Sequence, residues 1–259
     1  MSNSHLLELY NETSKHSHYQ LLATPLRKII SADPEKKNSK WEDERLSFIM
    51  RHLPCKDASI ADIGGNTGYF TLELIHRGAK NALFIEGNKT HSDFVREAVS
   101  ILNLQDKIKT HSSYMIFKDD ITLIDVDITL VLNVLHHIGD DYGDSSLSIS
   151  EAKASILHSL LNLSYRTKYL VLQLGFNWKG DINFPLFDGG SKKEQIDFIE
   201  NGVNDFWTIE KVGVAETTDG KVFYNQAGAN NIQRNDSLGE FLNRPLFIMK
   251  SKLYGKSRL

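Results

Sequence analysis

The chain has 259 residues, 41% of them hydrophobic, and a formal net charge of −3. That length buries one sizeable core with decorations, and the mild acidity gives no global attraction to nucleic acid. A single cysteine, Cys55, excludes an internal disulfide and suits a reducing compartment.

No run approaches the ~18 apolar residues of a membrane span, and Met-Ser-Asn-Ser-His lacks the regions of a secretory signal. A soluble, cytoplasmic protein is expected. Residues 1–57 read as a helical extension, with Leu22, Leu26, Ile29 and Ile30 on one face. His16-Ser17-His18-Tyr19-Gln20 lies within it, and Asp33 to Ser39 is a loop by composition. Trp41 to Leu53 is a helix, because Leu46, Ile49, Met50 and Leu53 recur at i, i+3, i+4 and i+7.

The expected core domain runs over 58–250. It opens on Ala61-Asp62-Ile63-Gly64-Gly65-Asn66-Thr67-Gly68-Tyr69-Phe70, an apolar run ending in an acid, then small residues that open a helix. A strand turning sharply into a helix presents free backbone N–H groups and the helix's positive end to a ligand. Glycine supplies positive φ and close approach, and Asn66 is among the residues that tolerate the left-handed region. The dinucleotide pattern G-x-G-x-x-G would need glycine at 66 and 69, where Asn and Tyr stand. A phosphate loop would need a lysine after Gly68. Phe70, Leu74 and Ile75 give the following helix its apolar face, and Gly78 stops it.

Asn81 to Asn88 reads as a second strand ending in Glu86-Gly87. A carboxylate about 20 residues beyond the loop accepts both hydroxyls of an adenosine ribose. Strand, loop, helix and strand make a βαβ unit. Helices follow near 90–103 and 150–165, the second with Ile156, Leu157, Leu160 and Leu161 as its stripe. Val126 to Ile138 is a buried parallel strand by its apolar run, ending in Asn133 and followed by His136 and His137. Two adjacent histidines point differently on either a strand or a helix. With Asp140, Asp141 and Asp144 reading as a solvated loop, no metal site is expected. Tyr169 to Leu174 is a fifth strand.

Residues 176–206 form an aromatic- and glycine-rich insertion, expected to cover an acceptor site; Ser191 and Glu194 within it have capping-box spacing. Thr208 to Val214 and Pro245 to Lys250 read as closing strands, joined by a hairpin-like piece at Asp219-Gly220. Residues 251–259 are a basic tail, read as solvated, with at most weak contact to an anionic membrane surface.

The spacing D-x-G-x-N-x-G, Glu86 and the His-His-Ile segment resemble the class I S-adenosylmethionine-dependent methyltransferases. The Tyr19-Gln20 and Arg45-Leu46 pairs add a looser similarity to the methyltransferase part of bacterial O-antigen chain-terminating methyltransferases. The resemblance implies a Rossmann-like α/β fold with a mostly parallel seven-stranded sheet and S-adenosylmethionine as cofactor. Asp62, Gly64, Gly65, Asn66, Gly68, Phe70, Glu86, Gly87 and Asn133 would hold that cofactor, with Tyr19 closing over it. Arg45 would bind an anionic acceptor, and His136 or His137 would remove a proton if the acceptor were a hydroxyl or amine. The family's usual acid after strand 3 is missing from Thr110-His111-Ser112-Ser113-Tyr114-Met115, which leaves Ser113 and Tyr114 to meet the adenine. The acceptor implied is a small molecule or a sugar- or phosphate-bearing glycan. An RNA methyltransferase and a non-catalytic adenosylmethionine-binding protein are the alternatives; oligomeric state is left open.

Overall fold

The computed structural model describes residues 3–12, 15–17, 20–30 and 39–256. Tyr19, most of the 33–39 loop and the last three residues of the tail lie outside them. Eight strands form one sheet: β1 (Ser59–Ile63), β2 (Asn81–Ile85), β3 (Ile108–His111), β4 (Val126–Leu132), β5 (Thr167–Gln173), β6 (Trp207–Thr218), β7 (Lys221–Gln226) and β8 (Leu246–Ser251). Their spatial order is β3-β2-β1-β4-β5-β8-β6-β7. The first five are parallel, and β8 is antiparallel to both β5 and β6.

The expected seven-stranded sheet is thus corrected to eight strands, mixed in direction. The reason lies at Asp219-Gly220, where both residues have positive φ, at 51° and 73°. That turn reverses the chain so that β7 pairs along β6 from Gly213↔Gln226 to Thr218↔Lys221. A piece expected to join two strands is itself the edge strand.

Helices cover both faces. On one side lie α1 (Asn3–Asn11), α2 (Thr24–Arg27), α3 (Glu42–His52), α4 (Tyr69–His76) and α5 (Lys89–Ile101). Leu46, Phe48 and Ile49 of α3 join Ile60, Phe84, Leu130, Val171 and Ile248 of the sheet in that core. On the other side α6 (Ile149–Ser164) and α7 (Lys192–Val203) pack on Val131, Leu172 and Phe247. The buried stripe of α6 is Ala152, Ile156, Leu160 and Leu163, while Leu157 and Leu161 are only half-buried. The helix therefore faces the sheet about one residue away from the expected stripe. The capping box spelled by Ser191 and Glu194 is formed, with the Ser191 side chain accepting from the Glu194 N–H.

Burial explains why β4 sits centrally. Ile128, Leu130 and Val131 are fully buried, and burying such a side chain contributes about 1.5–3 kcal/mol. A strand apolar on both faces must have helices on both sides. With β1 connected outward through β2 and β3, and β4 connected the other way, the chain reverses direction between β1 and β4. The crevice beyond the carboxyl ends of these two strands is where open α/β sheets bind ligands.

Candidate active site

The loop after β1 is shaped by its backbone. Gly64 has φ 66°, and its N–H donates to the Ile85 carbonyl at 2.8 Å. A Cβ on Gly64 would stand 2.5 Å from the Val134 side chain, so close packing and backbone angle both demand glycine. Asn66, at φ 53°, takes the left-handed conformation expected of it. Gly68, at φ 75°, sits at the N-cap of α4. Gly65 and Gly68 turn away from the crevice, making room for Phe84 and Val95.

The loop is tied to the end of β2 through one carboxylate. Glu86 is buried; one oxygen accepts from the Asn66 N–H at 2.8 Å and the other from the Asn88 N–H at 2.7 Å. Burial pushes its pKa up in spite of those two bonds. A carboxylate has about four lone-pair sites, so each oxygen retains one for a ligand. Asp62, on β1, is fully buried and accepts from the Thr71 hydroxyl at 2.7 Å. Burial raises its pKa to about 6. Across the crevice the Tyr114 ring lies flat on Gly87, where a Cβ would come within 2.3 Å of the ring. Ser113 hydrogen-bonds the His111 imidazole at 2.6 Å.

The opposite end is a network of side chains. Arg45 is buried, donating to Glu42 at 3.2 Å and to Gln173 Oε1 at 3.1 Å. Its guanidinium lies 5.0 Å from the Phe70 ring centroid and 5.1 Å from that of Phe241, within cation–π range. Asn133, at φ 62°, donates from its amide to the same Gln173 oxygen at 3.0 Å and accepts from Arg244 at 2.8 Å. Arg244 in turn pairs with Glu240 at 2.8 Å. Burial pushes the Glu240 pKa up, but the Arg244 fork outweighs it and leaves the carboxyl below its ordinary value.

Between the two ends stand the histidines, on the turn Leu135–His137 after β4. His136 is buried, and its Nδ1 accepts from the Gly175 N–H at 3.2 Å. Burial, with His137 and Arg244 nearby, holds its pKa well below that of ordinary histidine. The neutral ring therefore carries its proton on Nε2 and offers an N–H. His137 lies beside His136, its Nδ1 3.5 Å from Asp140 and 3.6 Å from Asp141. Asp141 corrects the reading of 140–144 as a solvated loop. Its side chain is only 16% exposed and pairs with Lys15 at 2.5 Å.

Most of these side chains surround one cavity of about 430 Å³, a volume typical of a small-molecule site. Of the sequence-derived candidates, Arg45, Asp62, Gly64, Asn66, Phe70, Glu86, Gly87, Ser113, Tyr114, Asn133, His136 and His137 line it, whereas Gly65 and Gly68 do not. Gln20 lines it too, and accepts from the Tyr69 N–H at 3.2 Å. From the insertion, only Gly180 reaches the wall. The sequence reading missed Lys15, Lys40, Glu42, Glu240, Phe241 and Arg244. The i, i+4 spacing of Glu240 and Arg244 was the one local signal of the last pair.

No family model and no curated protein matches the sequence. Solved structures do match in shape. WbdD, described as a bifunctional kinase-methyltransferase, superposes with a TM-score of 0.54 at 16% identity, over 95% of this chain and 46% of that one. A high-resolution WbdD structure gives 0.58 at 15% identity over 95% and 46%. A WbdD–inhibitor co-crystal gives 0.59 at 16% identity over 95% and 47%. The fold is that of the class I methyltransferases. Within it, the likeness to WbdD is loose, and the chain spans about half the length of WbdD. Among the described residues, no helix is long and apolar enough to cross a membrane.

Proposed function

We propose that this chain is an S-adenosylmethionine-dependent methyltransferase acting on a small-molecule or glycan acceptor that carries an anionic group. The observation that carries the proposal is Glu86, a buried carboxylate held by two backbone N–H groups beside a left-handed loop at the sheet's topological switch. The donor set suits the cofactor. Its ribose diol matches the lone pairs left on Glu86, and its ammonium matches Asp62, a buried acid with no ion pair among the described residues. When bound, the cofactor supplies a methyl group on a positively charged sulfur, with a neutral leaving group.

The chain's own residues then have three tasks. Glu86, Asp62 and the 64–68 loop hold the cofactor end, with Ser113 and Tyr114 at the adenine. Arg45 and Arg244 make the other end cationic, which suits phosphate or carboxylate. Transfer to such an acceptor needs no base, so orientation is the enzyme's main contribution. His136 fits a positioning role better than proton removal, since its Nδ1 is occupied and its Nε2 donates.

Calorimetric titration with S-adenosylmethionine tests the proposal, using wild type, Glu86→Ala and Asp62→Ala. Binding by the wild type that is lost in Glu86→Ala is the expected result. A wild type that binds no S-adenosylmethionine would overturn it. Binding without turnover of any phosphorylated or hydroxylated acceptor would turn the reading to a non-catalytic binding protein.

A further inference from the structure

One cluster on the cavity wall has chemistry that methyl transfer to an anionic acceptor does not require. His16, His137 and Asp141 each bring one potential metal-ligating atom to within 4.8 Å of the other two. His16 Nε2 stands 3.9 Å from Asp141 Oδ2, and His137 Nδ1 stands 3.6 Å from the same oxygen. The two rings meet edge to face at 5.4 Å. Ligands about 2.0–2.2 Å from a common zinc ion lie a little closer together than this, so the cluster needs only a modest contraction.

The adjacent pair His136-His137 is a poor chelate, and the structure uses only one of the two. His136 is committed to Gly175, while the second imidazole comes from a segment far away in sequence. That segment is held in place by its main chain. The Asn66 side-chain amide donates to the His16 carbonyl at 3.1 Å, and that of Asn88 donates to the Lys15 carbonyl at 3.0 Å. The His16 side chain is thereby presented from a fixed backbone.

Two further observations favour a cation. His137 Nδ1 is buried and faces the carboxylates of Asp140 and Asp141 from 3.5 and 3.6 Å, longer than an ordinary hydrogen bond. Lys15 bonds Asp140 at 2.8 Å and Oδ1 of Asp141 at 2.5 Å. It therefore leaves Asp141 Oδ2 turned to the histidines. One lysine beside two aspartates also leaves a negative excess, and Asp141 shares the cavity wall with Glu86.

We propose that His16, His137 and Asp141 bind a divalent transition-metal ion, zinc foremost, at the wall of the cavity. Two imidazoles and a carboxylate select first-row transition metals over magnesium or calcium. Three protein ligands leave a position for water or for an oxygen of a bound molecule. The ion would join the 15–17 segment to the turn after β4 and close that side of the cavity.

The test uses the full chain, stripped with a chelator and without S-adenosylmethionine, so its outcome is independent of the cofactor titration. Zinc binding is measured by equilibrium dialysis with elemental analysis. Cobalt binding is measured by the visible absorption that reports its ligand geometry. One ion per chain is expected. His16→Ala, His137→Ala and Asp141→Asn should each weaken binding by about 100-fold or more, since even loss of an outer partner costs about 10–100-fold. His158→Ala, on the exposed face of α6, should bind as the wild type does. His16→Ala is the decisive variant, because its half-exposed ring contributes least to the fold; circular dichroism checks that all variants are folded. No binding by the wild type would overturn the proposal. So would binding retained in His16→Ala, or lost equally in His158→Ala.

Discussion

The two ends of the cavity are built in different ways. At the end formed by the loops after β1 and β2, positions are set by backbone: positive φ at Gly64 and Asn66, and main-chain N–H groups that grip Glu86. At the end lined by Arg45 and Arg244, positions are set by side chains gathered from α3, the residue after β4, β5 and the 240–244 turn around the Gln173 amide. A backbone-built end keeps its shape when one side chain is trimmed and fails when a glycine gains a Cβ. A side-chain network fails link by link, because every group it leaves buried and unpaired is costly.

The sharpest way to break the first end is Gly64→Ala. Left-handed strain and a clash with Val134 should together cost about 2–5 kcal/mol, read by urea denaturation. A loss below about 0.5 kcal/mol, the range of an ordinary surface change, would show that the loop adjusts freely.

Asp62 should give the next effect, as a pH dependence. Burial raises its pKa from 3.8 to about 6. A carboxyl whose folded pKa exceeds its unfolded value favours the fold fully below the unfolded value, and that stability is lost as pH rises through the folded one. Between about pH 4 and pH 7 the wild type should therefore lose up to about 3 kcal/mol from this group. Asp62→Asn keeps an acceptor for Thr71 and has nothing to titrate, so its stability relative to wild type should rise across that window. Parallel pH profiles for the two proteins would refute the assignment.

At the side-chain end, Arg244→Met should cost about 1–3 kcal/mol. The penalty of about 3–5 kcal/mol for breaking a fully buried pair is discounted because the Glu240 side chain is 36% exposed. Adding Glu240→Gln should recover part of the loss, and a double-mutant cycle measures the coupling. Strict additivity would mean that the pair does not act as a unit.

The smallest change in stability is expected for Gly87→Ala. Tyr114 is 43% exposed and can swing off the new Cβ, so unfolding should shift by less than about 0.5 kcal/mol. Affinity for S-adenosylmethionine should still fall about two- to tenfold, since an aromatic pairing contributes about 0.5–1.5 kcal/mol. An unchanged affinity would remove Tyr114 from the adenine site.

These contrasts also explain what could be read in advance. The turn after β1, the acid at the end of β2 and the apolar run of β4 are local patterns, each fixed within a dozen residues by φ preferences or by alternation of burial. The expected strands, helices and cavity-lining glycine loop follow from them. The stripe of α6 came out rotated because Leu157 and Leu161 fit the helical period as well as Ala152 and Leu163 do. Only the sheet surface beneath the helix decides between the two faces. Arg244 stood in an unremarkable stretch near the C-terminus, and nothing local ties it to Asn133, 111 residues away.

The sequence by itself determined the βαβ unit, the left-handed loop and the carboxylate of Glu86, because short-range sterics and backbone hydrogen bonding act between neighbours in the chain. Tertiary structure alone decided the eighth strand and the pairing of Arg45 and Asn133 on one glutamine oxygen. It also decided the approach of His16 to His137 and Asp141. Those arrangements depend on which surfaces the core must bury, and that is settled only when segments distant in sequence compete for the same face of the sheet.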